Sequence, residues 1–134
     1  MSTRCRIAIE NENGRVTSIY CHHDGYLYGS YSVGQILLNH YKDKDKINQL
    51  MELGDLSSLG IEPTRAMCDC YSIEGENTPA YVCSKSQLVK EFKRSDQEYL
   101  YLFKDGEWRY MTCYDCDNEF RLIPKDEEGE TKNV

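Results

Sequence analysis

Cys5, Ile7 and Ile9 fall on one side of an alternating run, with Arg4, Arg6, Ala8 and Glu10 on the other. A period of two is the pattern of a strand with one buried face. The polar ENENG (residues 10–14) reads as a turn, and RVTSIYC (15–21) carries β-branched and aromatic residues into a second strand. Together they predict an antiparallel hairpin. Further along, EYLYLFKDGEWRYMTCY (98–114) places two aromatic-rich runs around Asp105-Gly106. That pair suits a two-residue hairpin turn, where both central positions need positive φ.

Between the hairpins the period changes. From Ser32, a natural cap, SVGQILLNHY sets Val33, Ile36, Leu37, His40 and Tyr41 on one helical stripe. A second helix is predicted to start at Asp43 or Asp45, with Ile47, Leu50 and Met51 on one face and Gly54 as its stop. A third, in SKSQLVKEFKR, starts near Ser84 or Ser86 and turns Leu88, Val89 and Phe92 inward. MCDCYSI and PAYVC are short strand candidates around the turn-like EGENT. The sum is an α+β domain over residues 1–123: a small antiparallel sheet built from hairpins, with two or three helices packed on one face. IPKDEEGETKNV loses all periodicity, so residues 124–134 are expected to form a flexible acidic tail.

Composition adds two constraints. The formal charge of −7 argues against direct nucleic-acid binding, which needs basic surface, and favours solubility or attraction to a basic partner. Eleven tyrosines stand against three Phe and one Trp, and Tyr is enriched where proteins touch partners as well as on pleated strand surfaces. Five of them crowd into YCHHDGYLYGSYSVGQILLNHY (20–41), a stretch that joins the first hairpin to the first helix.

That stretch also invites chemical readings. His22, His23 and Asp24 are adjacent, with His40 on the following helix; neighbours on extended backbone point apart, so His22 and His23 do not easily share one ion, and His23 meets His40 only if the loop folds back. Cys21 beside His22 resembles a thiol–imidazole pair, but the fold rather than chain adjacency normally assembles such pairs. No G-x-S-x-G, P-loop or G-x-G-x-x-G is present. Enzyme chemistry therefore ranks last. GYLYGSYSVG opens a helix, whose free N–H groups suit an anion; this supports an alternative reading as a nucleotide-sequestering or small-ligand protein. The seven cysteines supply a third reading. Cys113 and Cys116 form a C-x2-C half-site that Cys68 with Cys70, or Cys21 with His23, would complete as structural zinc in an adaptor. Reduced cysteines filling small apolar sites are the plainer explanation. No apolar run is long enough for a signal peptide or a membrane span, so a cytoplasmic chain is expected.

MSTRCRIAIENENGRVTSIYCHHDGY, VGQILLNHY and KINQLMELGDLSSLG resemble a group of small, mostly uncharacterised proteins of phages and prophages. In that group a hairpin ends in an H-W-D-G-Y-like motif, followed by V-G-x-x-L-L-x-H-Y and L-x-x-L-G-D-x-S-x-L segments. The matching positions are His22, Asp24, Gly25, Tyr26, Val33, Gly34, Leu37, Leu38, His40, Tyr41, Leu53, Gly54, Asp55 and Ser57, with a weaker match at the closing hairpin. His23 stands where Trp is usual, YGSYS is inserted before Val33, and the cysteine-rich second half has no counterpart. The resemblance implies action in the cytoplasm of an infected bacterium. There, small acidic phage proteins of the anti-CRISPR kind bind and disable host defence complexes.

The leading expectation is thus an inhibitor that binds a host protein complex, through an acidic surface or through the loop. Tyr26, Tyr28 and Tyr31 are its anchors, Asp24 is a polar contact, and His22 shapes the loop. An exposed hairpin edge is also compatible with self-association.

Overall fold

The computed structural model describes residues 3–73 and 76–125. In chain order, β1 (Cys5–Glu10) and β2 (Arg15–Cys21) precede helices α1 (Val33–His40) and α2 (Lys44–Glu52). The strands β3 (Leu56–Ser58), β4 (Asp69–Cys70), β5 (Ser72–Ile73), β6 (Glu76–Asn77) and β7 (Tyr81–Ser84) follow. Helix α3 (Lys85–Arg94), strands β8 (Tyr99–Lys104) and β9 (Glu107–Thr112), and the short β10 (Arg121–Leu122) complete the domain.

Both predicted hairpins form. In the first, Ile7 lies opposite Ile19 and Cys5 opposite Cys21. In the second, Asp105 (φ 52°) and Gly106 (φ 78°) make the left-handed turn, which Asp tolerates and glycine, lacking a Cβ, adopts freely. The α+β class holds, but the sheet is larger than expected and not wholly antiparallel. Eight strands run in the order β10-β9-β8-β1-β2-β3-β4, with β7 pairing the first half of β2. β1 pairs β8 in parallel, and β2 pairs β3 in parallel.

The parallel join has a definite origin. Both β7 and β1 run antiparallel to β2, so β7 and β8 point the same way. The segment β7–α3–β8 is therefore a crossover that carries the chain over β2 and β1, with α3 laid on the sheet between its ends. Parallel neighbours require such a connection.

Helices consequently cover both faces. Cys5, Ile7, Ile9, Ile19, Tyr101 and Trp108 face α1 and α2 in one core cluster. Ala8, Val16, Leu100, Leu102 and Met111 face Leu88, Val89 and Phe92 of α3 in the other. Two or three helices were expected on one face; α3 instead lies across the sheet from α1 and α2. Polar atoms within the first cluster are partnered: Trp108 Nε1 donates to Tyr41 O at 2.7 Å and Tyr41 Oη to Gly60 O at 2.8 Å, as buried aromatic polar groups require.

Each helix begins as predicted, with Ser32, Asp43 and Ser84 accepting from the N–H of Gln35, Lys46 and Gln87. His40 departs from expectation: it is exposed. The helix ends there and Tyr41 leaves helical geometry (φ −116°, ψ 72°) to bury its own ring. The EGENT turn lies in part outside the described residues, at 74–75, and so does the expected tail from 126 onward. Pro124 O accepts from Gln35 Nε2 at 3.0 Å, which ties residue 124 to α1.

Candidate functional site: the tyrosine loop

The loop from 22 to 32 is fastened at nearly every step. His22 N and His23 N donate to Leu56 O and Ser57 O, extending the β2–β3 pairing beyond the strand. Asp24 then turns left-handed at φ 60°, a conformation that Asp adopts more readily than most residues. Its carbonyl accepts from Val33 N at 2.8 Å. Gly25 is buried: its N donates to Thr3 O at 2.9 Å and its O accepts from Tyr101 Oη at 2.7 Å. A Cβ there would lie 2.8 Å from Thr3 O and 2.9 Å from Cys5 Cβ, so only glycine fits this approach.

The second half closes onto α1. Tyr26 O accepts from Gly34 N, and Leu27 O accepts from Gln35 Nε2. Gly34 admits this contact, since a Cβ would meet Leu27 O at 2.7 Å. Leu27 itself plugs the core at 6% exposure, while Ser32 Oγ donates to Gly29 O at 2.9 Å. The alternation is then explained. Leu27 faces in; Tyr26, Tyr28 and Tyr31 face out, 44%, 50% and 82% exposed. The three rings are thus presented to solvent by a backbone that is already ordered.

His22 sits beside this loop in an aromatic cluster. Tyr20 Oη and His22 Nδ1 are 2.7 Å apart, and the His22 ring stacks on Tyr71 with centroids 5.1 Å apart. Burial holds the His22 imidazole below its ordinary pKa, assisted by His23 and Arg4. The imidazole braces the loop's entry, whereas Cys21 points into the core at 0% exposure. The sheet thereby separates the adjacent thiol and imidazole. Asp24 contributes its backbone turn and an exposed carboxylate.

Among the described residues no three His, Cys, Asp or Glu side chains come together as a group that could hold a metal ion. Cys70 lies in β4, whereas Cys113 follows β9, and four strands stand between those two. At about 4.8 Å per strand spacing the separation is on the order of 24 Å. Cys68 is buried, with its Sγ accepting from Gly60 N at 3.2 Å, and Cys70 Sγ accepts from Arg65 Nη1 at 3.1 Å. Cys113 packs against the α3 cluster and Cys116 is exposed. In the other proposed pair the buried Cys21 Sγ donates to the His23 carbonyl oxygen at 3.5 Å, while the His23 residue is exposed.

Asp55, in the L-G-D-x-S segment, ties the loop's foundation together. Its Oδ1 accepts from Tyr20 N at 2.9 Å, its O accepts from Tyr71 N, and its N donates to Thr78 O. Burial raises the carboxyl above its ordinary pKa, opposed by the Tyr20 N–H and by Arg6. A raised folded-state value means that the folded chain binds the proton more tightly than the unfolded one. Stability therefore falls as pH rises from the ordinary carboxylate value of about 4 through the raised value. The Asp55→Asn variant keeps an acceptor for Tyr20 and removes this loss. Its melting temperature relative to the unmodified chain should climb with pH above about 4 and then level off, as read from thermal melts at successive pH values. A constant difference would show that the Asp55 carboxyl is not shifted.

Among the described residues no helix is long and apolar enough to cross a membrane. Family models, curated proteins and solved structures yield no match to this chain.

Proposed function

We propose that this chain is a phage-encoded accessory protein that binds a host defence complex and inhibits it in the cytoplasm of the infected cell. The tyrosine loop is the contact surface in this proposal. The observation that carries the binding function is the exposure of Tyr26, Tyr28 and Tyr31 on a backbone pinned to both the sheet and α1. Rigid, amphipathic rings lose little entropy on docking, and such residues dominate binding energy at protein interfaces. The phage setting and the defence target rest on the motif resemblance. The negative charge of the chain complements a basic, nucleic-acid-gripping partner.

The test is phage plating on bacteria that carry a defence system directed against that phage. Expression of the chain should raise plating efficiency. The combined Tyr26→Ala, Tyr28→Ala and Tyr31→Ala variant should lose that gain, with its affinity for the purified defence complex reduced about 30-fold or more and its melting temperature unchanged. Full protection by the variant would remove the loop from the proposal, and failure to protect against any tested system would remove inhibition itself. Binding that persists in raised salt identifies ring contacts; a steep loss identifies charge mimicry.

A further inference from the structure

On the α3 side of the sheet a second feature stands apart from the loop. A cleft of about 600 Å³ lies between α3 and the segment leading into β7, with Arg6, Asp55, Tyr81, Glu91 and Gln97 among its lining residues. This is a size at which proteins hold small organic ligands.

Its polar groups are unevenly satisfied. Arg6 Nε donates to Ser18 Oγ at 2.8 Å, and the guanidinium lies 5.7 Å from the centre of the Tyr81 ring. Among the described residues its two terminal nitrogens have no hydrogen-bond partner, and no carboxylate forms an ion pair with it. Burial pulls the guanidinium below its ordinary pKa, while Asp55 counters that effect from nearby. Gln97 Oε1 is buried and has no partner among the described residues. Asp55 spends Oδ1 on Tyr20 N, which leaves Oδ2 uncommitted. Glu91 is engaged, accepting from Tyr81 Oη at 3.0 Å and Gln87 Nε2 at 2.8 Å.

The cleft thus offers two donors from Arg6 beside acceptors from Asp55 and Gln97, between apolar walls that include Leu88, Phe92 and Pro79. Buried polar atoms left unmatched are costly and call for an explanation. A complementary ligand has apolar faces and brings acceptors to Arg6 and donors to Asp55 and Gln97. Guanine carries such a set on one edge: N7 and O6 accept, and N1–H and N2–H2 donate. Adenine reverses it at the exocyclic position and would set a donor against Arg6. Arg6, Asp55 and Glu91 sum to a negative charge, which disfavours an anionic group in the cleft and favours a neutral base over a phosphate. An amino-acid zwitterion would match the signs, but both of its full charges would have to be stripped of water.

We propose that this cleft binds a guanine-type purine base, with Arg6 donating to O6 and N7, and with Asp55 and Gln97 accepting from N1–H and N2–H2. An arginine facing the O6/N7 pair is a common guanine contact. The cleft shares Asp55 with the foundation of the tyrosine loop but includes none of Tyr26, Tyr28 and Tyr31, so guanosine binding and defence inhibition are read by separate measurements.

Calorimetric titration of the full chain with guanosine, and separately with adenosine, tests it. Guanosine should bind saturably and adenosine at least about 10-fold more weakly, because a hydrogen bond to a charged group is then lost. Asp55→Asn and Gln97→Met should each weaken guanosine binding about 10-fold while both variants retain cooperative melting. Asp55→Asn is the safer of the two, since it preserves the acceptor for Tyr20. Absence of guanosine binding at millimolar concentration overturns the proposal. Equal binding of adenosine, or guanosine binding unchanged in both variants, also overturns it.

Discussion

Replacing Trp108 by alanine is expected to cost the domain about 3–5 kcal/mol. For a chain of this size that corresponds to a fall in melting temperature of roughly 10–20 °C. Trp108 is 4% exposed, lies edge-on to Phe103 with ring centroids 5.2 Å apart, and donates Nε1–H to Tyr41 O across the layer between sheet and helix. Truncation removes the ring, opens a cavity beneath α1 and leaves the Tyr41 carbonyl unpartnered. A Trp108→Phe variant separates these contributions. It keeps most of the volume and should recover more than half of the loss. A thermal or urea melt of both variants checks the prediction. A Trp108→Ala melt within a few degrees of the unmodified chain would mean that the closing hairpin does not pack on α1 as described.

The second large effect lies on the opposite side of the sheet. Phe92 is 1% exposed and anchors α3 against Leu100, Leu102 and Met111. Phe92→Ala should also cost about 3–5 kcal/mol. Because the two residues belong to separate clusters with the sheet between them, the double variant should lose the sum of the two single losses to within about 0.5 kcal/mol. Urea denaturation midpoints and slopes of the three variants measure this directly. A large departure from additivity would show that the two faces are energetically coupled through the sheet. Phe92 also walls the guanine-type cleft, so this variant is a stability probe and not a test of binding.

Local pattern made much of this fold legible. Alternation exposed both hairpins, Asp105-Gly106 marked its turn, and Ser32, Asp43 and Ser84 marked three helix starts. The parallel pairing of β1 with β8 was not legible, because no local signal encodes it. It follows from where a crossover helix lands, and the sequence shows only that α3 is amphipathic. For the same reason the pattern could not divide the helices between two faces. His40 shows a smaller failure of periodicity: a stripe drawn through it assumes that the helix continues, and Tyr41 ends it.

Of the loop, the sequence shows the crowding of tyrosines but not their orientation, and the fold turns Tyr26, Tyr28 and Tyr31 outward around an inward Leu27. Their actual contacts with a partner are a separate matter, addressed by the plating and affinity measurements. The cysteine pairs illustrate the same limit. C-x2-C and C-x-C spacing reports local chelating geometry only, and the strand order places the two pairs at distant parts of the sheet. Arg6 was visible merely as the polar side of an alternating strand. Nothing in its neighbours' identities announces that α3 will roof it with Gln97 close by, because that environment arises from the crossover.

The crossover also constrains how the chain acquires its shape. Cys5 finds Tyr99, and Ile9 finds Phe103, only after nearly the whole domain has emerged from the ribosome. Until then β1 has β2 on one flank and an open row of backbone donors and acceptors on the other. Contacts of such sequence separation slow folding, and an open strand edge invites pairing with other chains. A nascent or truncated chain that stops short of β8 would therefore be the aggregation-prone form of this domain, and the arrival of β8 would be what makes it safe.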